Sequence, residues 1–229
     1  MPKDRQPLAT PTPEIYVDSV LFQLIDDELA VLLTQRELDP YKGMWALPGG
    51  INAKGETTYD AMQNVLKAKT GIKVAQLGFI EQLYTFDTVT RDPRGHAVSV
   101  TYMGLGRGLA PTATPVKRHA QFFPLSQVPD LGFDHNQIIT YAHDRLIAKL
   151  SYTNAVFALL PSLFTLSQLQ AAYEAVLGRT LDKRNFRKKY LSLNLITETS
   201  ELHMEGAHRP ARLYKFNNSS LEYLSRSFD

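Results

Sequence analysis

Between Trp45 and Ile72 the chain spells a loop, a helix and a second loop, with both junctions marked. Trp45-Ala46-Leu47-Pro48-Gly49-Gly50 sets bulky apolar residues against a Pro-Gly-Gly turn, and Glu56 follows at a fixed distance. Thr57–Lys69 contains neither glycine nor proline and reads as a helix, which Gly71 stops just before the apolar Ile72. A short glycine motif alone is a weak signal. Here the flanking Trp45, Leu47 and Pro48, the spacing to Glu56 and the Gly71-Ile72 stop all agree.

The surrounding sequence supplies strands. Glu14–Gln35 alternates, is rich in Val, Leu and Ile, and reads as two strands around an Asp26-Asp27 turn. Arg36–Gly43 is a loop. Leu77–Asp87 and Ala97–Arg107 are strands separated by the polar loop Thr88–His96, and Gln121–Pro124 is a short strand. Asp134-His135-Asn136-Gln137 has the spelling of a helix start, with Gln at the third helical position. Ile138, Ile139, Ala142, Leu146, Ile147 and Leu150 then recur at helical spacing. In this reading Asp134 caps the helix and His135 packs at a domain junction.

After about Leu150 the pattern changes to three helices and a hairpin. Ala155–Leu160 is a short apolar helix ended by Pro161. Thr165-Leu166-Ser167-Gln168 opens a second helix that runs to Gly178, and Asp182 caps a third. Phe186, Tyr190 and Leu193 share the inner face of that third helix, which leaves Lys183, Arg184, Asn185, Arg187 and Lys188 for the outside. Leu195–Ser200 and Pro210–Phe216 alternate and pair as a hairpin carrying Arg209 and Arg212. This is the pattern of a winged helix-turn-helix, whose third helix enters the major groove. There Arg and Asn read base edges while Lys and Arg hold phosphates.

Charge supports that division. Residues 151–229 carry ten Lys and Arg against seven Asp and Glu, a balance of +3, whereas residues 1–150 carry fifteen against sixteen. Six bases and one acid fall between Arg179 and Lys189. A local basic patch of this kind is the electrostatic footprint of nucleic-acid binding. Other classes are excluded. No run approaches the ~18 apolar residues of a membrane span, and the absence of cysteine removes disulfides and thiolate sites. Residues 1–13 hold four prolines, which predicts a disordered tail rather than an export signal, so a cytoplasmic location is expected. The expected layout is a tail over 1–13, a mixed α/β domain over 14–150 and a DNA-binding domain over 151–229.

The Trp45–Ile72 stretch resembles a Nudix signature. Gly50, Glu56, Leu66, Gly71 and Ile72 stand where the family has its glycines, first glutamate and apolar residues. Asn64, Val65, Ala68 and Lys69 stand where it has Arg, Glu, Glu and Glu. The family's carboxylates share one helix face and hold magnesium, which favours oxygen ligands and activates water for attack on a diphosphate. Here the formal charge of positions 65, 68 and 69 is +1 in place of −3. A lysine at this place repels a metal but pairs with a phosphate as a point charge. The resemblance therefore implies a Nudix-like α/β (α+β) sandwich of mixed sheet and helices that keeps its pocket without catalytic residues, bound metal or cofactor.

Taken whole, the chain resembles the Nudix-related transcriptional regulators of NAD metabolism. That likeness rests further on Arg91-Asp92-Pro93-Arg94-Gly95, Gly132-Phe133-Asp134-His135 and Arg209-Pro210-Ala211-Arg212-Leu213-Tyr214. It implies a homodimeric repressor of NAD biosynthesis or salvage genes, released from its operator by ADP-ribose or a related nucleotide. Arg36, Gly49, Gly50 and Arg94 are the expected diphosphate contacts, since arginine gives charge-assisted hydrogen bonds to phosphate oxygens. Trp45 is a candidate pocket wall or core residue, and Tyr84 a candidate stacking surface for an adenine. An active ADP-ribose hydrolase with an accessory domain and a catalytically dead scaffold are the competing readings.

Overall fold

The computed structural model describes residues 12–112, 119–203 and 210–224. β1 (Glu14–Ile25) and β2 (Glu28–Gln35) form a hairpin. Its turn residues Asp26 and Asp27 both take positive φ, 49° and 61°. That left-handed pair matches the right-handed twist of the flanking strands. β2 also pairs with the short β3 (Trp45–Ala46), and β1 with β4 (Gly49–Ile51). The other edge of β1 runs parallel to β6 (Ala97–Gly106), which pairs in turn with β5 (Leu77–Phe86). β7 (Ala120–Pro124) completes the seven-stranded sheet beside β2.

A parallel pair at the centre of a sheet must be covered on both faces. β1 meets that demand with Val17–Phe22, buried throughout. Alternate side chains leave on opposite faces. Val20 and Phe22 join Leu29, Val31 and Leu33 in one core, while Leu21 joins Leu32, Leu66 and Ile72 in another. α1 (Thr58–Thr70) covers the Leu21 face. Thr57 caps it by accepting from the Asp60 amide at 3.1 Å, and Gly71 ends it at φ 76°. α2 (His135–Tyr152) covers the opposite face with Ile138, Ile139, Ala142, Leu146 and Leu150. Each such buried branched side chain contributes about 1.5–3 kcal/mol.

Beyond α2 the expected first helix of the second half is a 3-10 turn, Ala155–Leu159. The stretch between Thr153, where α2 ends, and Pro161 is too short to nucleate α-helix. α3 (Leu166–Leu177) opens on a reciprocal cap. Thr165 Oγ1 accepts from the Gln168 amide at 3.1 Å, and Gln168 Oε1 accepts from the Thr165 amide at 2.8 Å. Gly178 turns the chain at φ 63°, and α4 (Lys183–Ser192) starts at Asp182, whose carboxylate accepts from the Asn185 amide at 2.8 Å. Tyr173 of α3 meets Phe186 and Tyr190 of α4 edge-on, with ring centroids 5.4 and 5.7 Å away. β8 (Ile196–His203) and β9 (Ala211–Phe216) make the wing.

One continuous apolar cluster runs from Val20 and Phe22 through α2 to Tyr173, Phe186 and Tyr190. The winged helix and the sheet thus share a core and are joined by α2 rather than by a tether. Position 150 lies in the last turn of that helix. Among the described residues no helix is long and apolar enough to cross a membrane.

Candidate functional site

A pocket of about 200 Å³ opens where β1, the turn into β4, the end of α1, the β5–β6 loop and the start of α2 converge. Its floor explains the Pro-Gly-Gly turn. A Cβ on Gly49 would fall 1.8 Å from Asp18 Oδ1 and 2.9 Å from the Val17 carbonyl, and one on Gly50 would fall 2.8 Å from Val65 Cγ2. Only glycine lets the backbone pass between β1 and α1. The Lys69 ammonium, from the last turn of α1, donates to the Gly49 carbonyl and lines the same pocket.

The rear wall is a buried charge network. Ser99 donates to Asp18 Oδ2 at 2.6 Å, and Arg91 Nη2 lies 3.5 Å from the same oxygen. Arg91 also forks onto Asp134, with Nε 3.0 Å from Oδ2 and Nη2 2.9 Å from Oδ1. His135 Nδ1 accepts from the Leu47 amide at 2.9 Å, which leaves its proton on Nε2, 3.7 Å from Asp18 Oδ1. Burial pushes the His135 pKa down, and the nearby Asp18 and Asp134 offset only part of that. The imidazole is therefore neutral near pH 7. This overturns the assignment of Asp134 as a side-chain cap: no cap hydrogen bond forms there, because its carboxylate is turned onto Arg91. His135 lines the pocket itself.

The rim is aromatic and cationic. Arg36 lies 4.6 Å from the centre of the Phe133 ring and is braced by the Pro40 and Leu38 carbonyls at 2.8 and 3.1 Å. Arg94 lies over Tyr16 and Phe133 at 5.2 and 5.5 Å and forks onto Asp92. Burial pushes the Asp92 carboxyl up, but the Arg94 hydrogen bonds outweigh it and hold the group below the usual carboxylate range. Guanidinium groups beside aromatic rings suit a ligand with both a diphosphate and a flat base.

A magnesium site does not fit these residues. Val65 packs its methyls against Gly50, Ala68 faces solvent and Lys69 brings a positive charge. Asn64 donates to Glu56 Oε1 at 2.6 Å, so the one retained glutamate is already engaged. Glu81 pairs with the buried Lys149 at 2.8 Å. Among the described residues no group of three or more His, Asp or Glu could hold a metal.

Arg36, Gly49, Gly50 and Arg94 line one pocket. Trp45 and Tyr84 lie elsewhere. Trp45 is half-buried, edge-on to Phe123 at 4.8 Å. Tyr84 is half-exposed and meets Phe86 edge-on at 5.3 Å and Tyr141 at a tilt at 5.1 Å. The sequence reading missed Asp18, Arg91, Phe133 and His135 as lining residues. An acid inside the apolar run of β1 was the available signal for Asp18.

The second candidate surface is α4. Lys183, Arg184, Asn185 and Lys188 are exposed. Arg187 is half-buried and donates to Ser167 Oγ at 3.1 Å, which ties α4 to α3. On the wing Arg212 pairs with Glu198 and stays two-thirds exposed. Arg209 lies outside the described residues.

The family model of the NUDIX domain matches residues 16–142, and that of the NrtR DNA-binding winged helix domain matches residues 156–216. The ADPR responsive transcriptional repressor NtrR of Acinetobacter baylyi is 35% identical over 211 residues, covering 90% of this chain and 83% of the relative. The crystal structure of Shewanella oneidensis NrtR complexed with a 27mer DNA is similar at a TM-score of 0.78 and 32% identity, over 94% of this chain and 99% of that one. The NUDIX domain of the same Shewanella protein, crystallised with ADP ribose, is 35% identical at a TM-score of 0.55, over 62% of this chain and 94% of that one.

Proposed function

Since this chain belongs to the family that joins a NUDIX domain to an NrtR DNA-binding winged helix domain, we propose that it is a transcriptional repressor released from its operator by ADP-ribose. Its targets in this reading are genes of NAD biosynthesis or salvage. Residues 14–150 form the effector-binding part and residues 151–229 the DNA-binding part of a cytoplasmic homodimer. Arg36 and Arg94 hold the diphosphate over Gly49 and Gly50. Lys183, Arg184, Asn185 and Lys188 face the major groove, with Arg212 on the wing and Arg187 fixing α4 against α3, and Arg209 is a further DNA contact in this reading.

Hydrolysis is not part of this function. The α1 face that would carry magnesium carboxylates carries Val65, Ala68 and Lys69 instead, so the cations that would offset phosphate charge and activate water have no ligand set. The observation that carries the whole reading is the rear wall of the pocket: it is the first turn of α2, through Asp134 and His135, and α2 shares its core with the DNA-reading helices. A ligand in the pocket therefore touches the element that positions α4. A mobility shift with DNA from upstream of the chain's own gene and its neighbours tests this. Retention without ADP-ribose and release with it are expected. DNA that is not retained, or retention that ADP-ribose leaves untouched, refutes it.

A further inference from the structure

The geometry points to Phe133 as the positioning residue through which an occupied pocket acts on α2. The inference rests on the reading that ADP-ribose occupies the pocket, and names the side chain that passes its presence to the DNA-reading half. Among the described residues, five other than glycine take left-handed backbone: Asp26, Asp27, Tyr41, Phe133 and Asn194. Asp and Asn tolerate that conformation, whereas a bulky aromatic residue in it is an outlier. The two aromatic outliers, Tyr41 at φ 67° and Phe133 at φ 61°, meet each other edge-on with ring centroids 4.9 Å apart. Such conformations persist only where the surroundings over-determine them, and they gather at ligand clamps and switches.

Both chain neighbours of Phe133 are fixed. Before it, the Gly132 amide donates to the Trp45 carbonyl at 3.0 Å, and a Cβ on Gly132 would fall 3.0 Å from Tyr41 Cβ. After it, the Asp134 carbonyl accepts the first bonds of α2, from the Gln137 and Ile138 amides at 3.0 and 3.1 Å, and the Asp134 carboxylate is held by Arg91. Phe133 is thus a strained residue between two anchored ones. Its half-buried ring lines the pocket, with the Arg36 and Arg94 guanidinium groups 4.6 and 5.5 Å from its centre and the His135 ring 5.3 Å away. Two cations of the rim therefore rest on one ring. A nucleotide entering the pocket meets that ring or the guanidinium groups beside it. The left-handed well is small, so a displaced ring is relieved by its own backbone leaving that well, and the residues that follow are the first turn of α2. A local element with two discrete arrangements, one of them favoured by the ligand, is what a ligand-driven shift requires.

Operator affinity of the full chain with and without saturating ADP-ribose, beside calorimetric titration of ADP-ribose alone, tests this. In the wild type ADP-ribose should weaken operator binding about 5–150-fold. Phe133→Gly removes the ring and takes the left-handed backbone at little cost. It is expected to bind ADP-ribose within about 10-fold of the wild type, yet to show an operator effect below about 3-fold. Phe133→Tyr should keep the wild-type ratio. Phe133→Leu, which keeps apolar bulk without a ring face, should fall in the same direction as the glycine variant and decides the matter if that one does not fold. A side chain that only fills the loop would lower the melting temperature and leave the ratio alone. A wild-type ratio in Phe133→Gly or Phe133→Leu overturns the assignment, as does a reduced ratio in Phe133→Tyr. Loss of ADP-ribose binding in Phe133→Gly or Phe133→Leu also overturns it, by making Phe133 a binding residue rather than a transmitter. All three outcomes leave ADP-ribose as the effector. A wild type whose operator binding ignores ADP-ribose overturns both readings.

Discussion

Removing the Asp134 carboxylate is expected to damage both stability and signalling. Arg91 is almost wholly buried, with its side chain 4% exposed, and its two good hydrogen bonds, at 2.9 and 3.0 Å, both go to Asp134. In Asp134→Ala it keeps only the 3.5 Å contact with Asp18. Stripping one partner from a buried pair costs about 3–5 kcal/mol, because the other charge stays behind. The remaining Asp18 contact puts this case at the low end, about 3 kcal/mol. For a chain of this size each kcal/mol moves the melting temperature by about 2–4 °C, so a drop of about 6–12 °C is expected. Arg94→Ala is the comparison: its guanidinium side chain is 44% exposed, so the pair is partly screened, but the variant leaves the Asp92 carboxylate, 3% exposed, without its main partner, and a loss smaller than that of Asp134→Ala is expected. Asp134→Ala is also expected to shrink the effect of ADP-ribose on operator binding, since it cuts the tie between the β5–β6 loop and the start of α2. Urea melts and operator titrations measure the two effects. A loss below about 0.5 kcal/mol with unchanged effector response would refute this role of Asp134.

Four further outcomes are expected. His135, neutral through burial, must take up a proton when the chain unfolds below its ordinary value of about 6.5. Stability therefore falls as the pH drops from about 6.5 toward the lower folded value, and comparing urea midpoints at pH 7 and pH 5 should show a smaller fall in His135→Gln. Gly49→Ala, whose new methyl group would overlap Asp18, is expected to cost about 1–3 kcal/mol in thermal melts and to block ADP-ribose in titrations. Arg184→Ala or Lys188→Ala should weaken operator binding, by about 1–3 kcal/mol for a base contact, whereas Arg187→Ala should mainly loosen α4 from Ser167. Assays for released AMP in magnesium or manganese should stay far below ordinary turnover of ~1–1000 per second.

What was legible in the sequence was local. Thr57 and Gly71 mark the ends of α1, the Thr165–Gln168 box opens α3, and the spacing of Phe186 and Tyr190 turns α4 the right way round. Each is a contact within a few residues, where backbone geometry dictates partners. The rear wall of the pocket is different. Asp134 spells a cap, but its backbone, at φ −91° and ψ 17°, is outside the extended conformation in which a cap side chain reaches back. Its partner Arg91 is 43 positions away, and no periodicity encodes that pairing. Asp18 stood out as an acid inside an apolar run, but its partner His135 is far along the chain and only the fold brings the two together. Trp45 and Tyr84 were placed near the pocket by chemistry alone. An aromatic side chain is equally suited to pack on Phe123 or Tyr141, and position decided the matter.

Pocket and DNA-reading helix are expected to act on each other through α2. The direct measurement is a thermodynamic square: operator affinity with and without saturating ADP-ribose, and ADP-ribose affinity with and without operator. Linkage requires the two ratios to be equal, and couplings of this kind are typically about 5–150-fold. ADP-ribose is expected to weaken operator binding within that range, and operator to weaken ADP-ribose binding by the same factor. Two ligands that bind with unchanged affinities in each other's presence would contradict it.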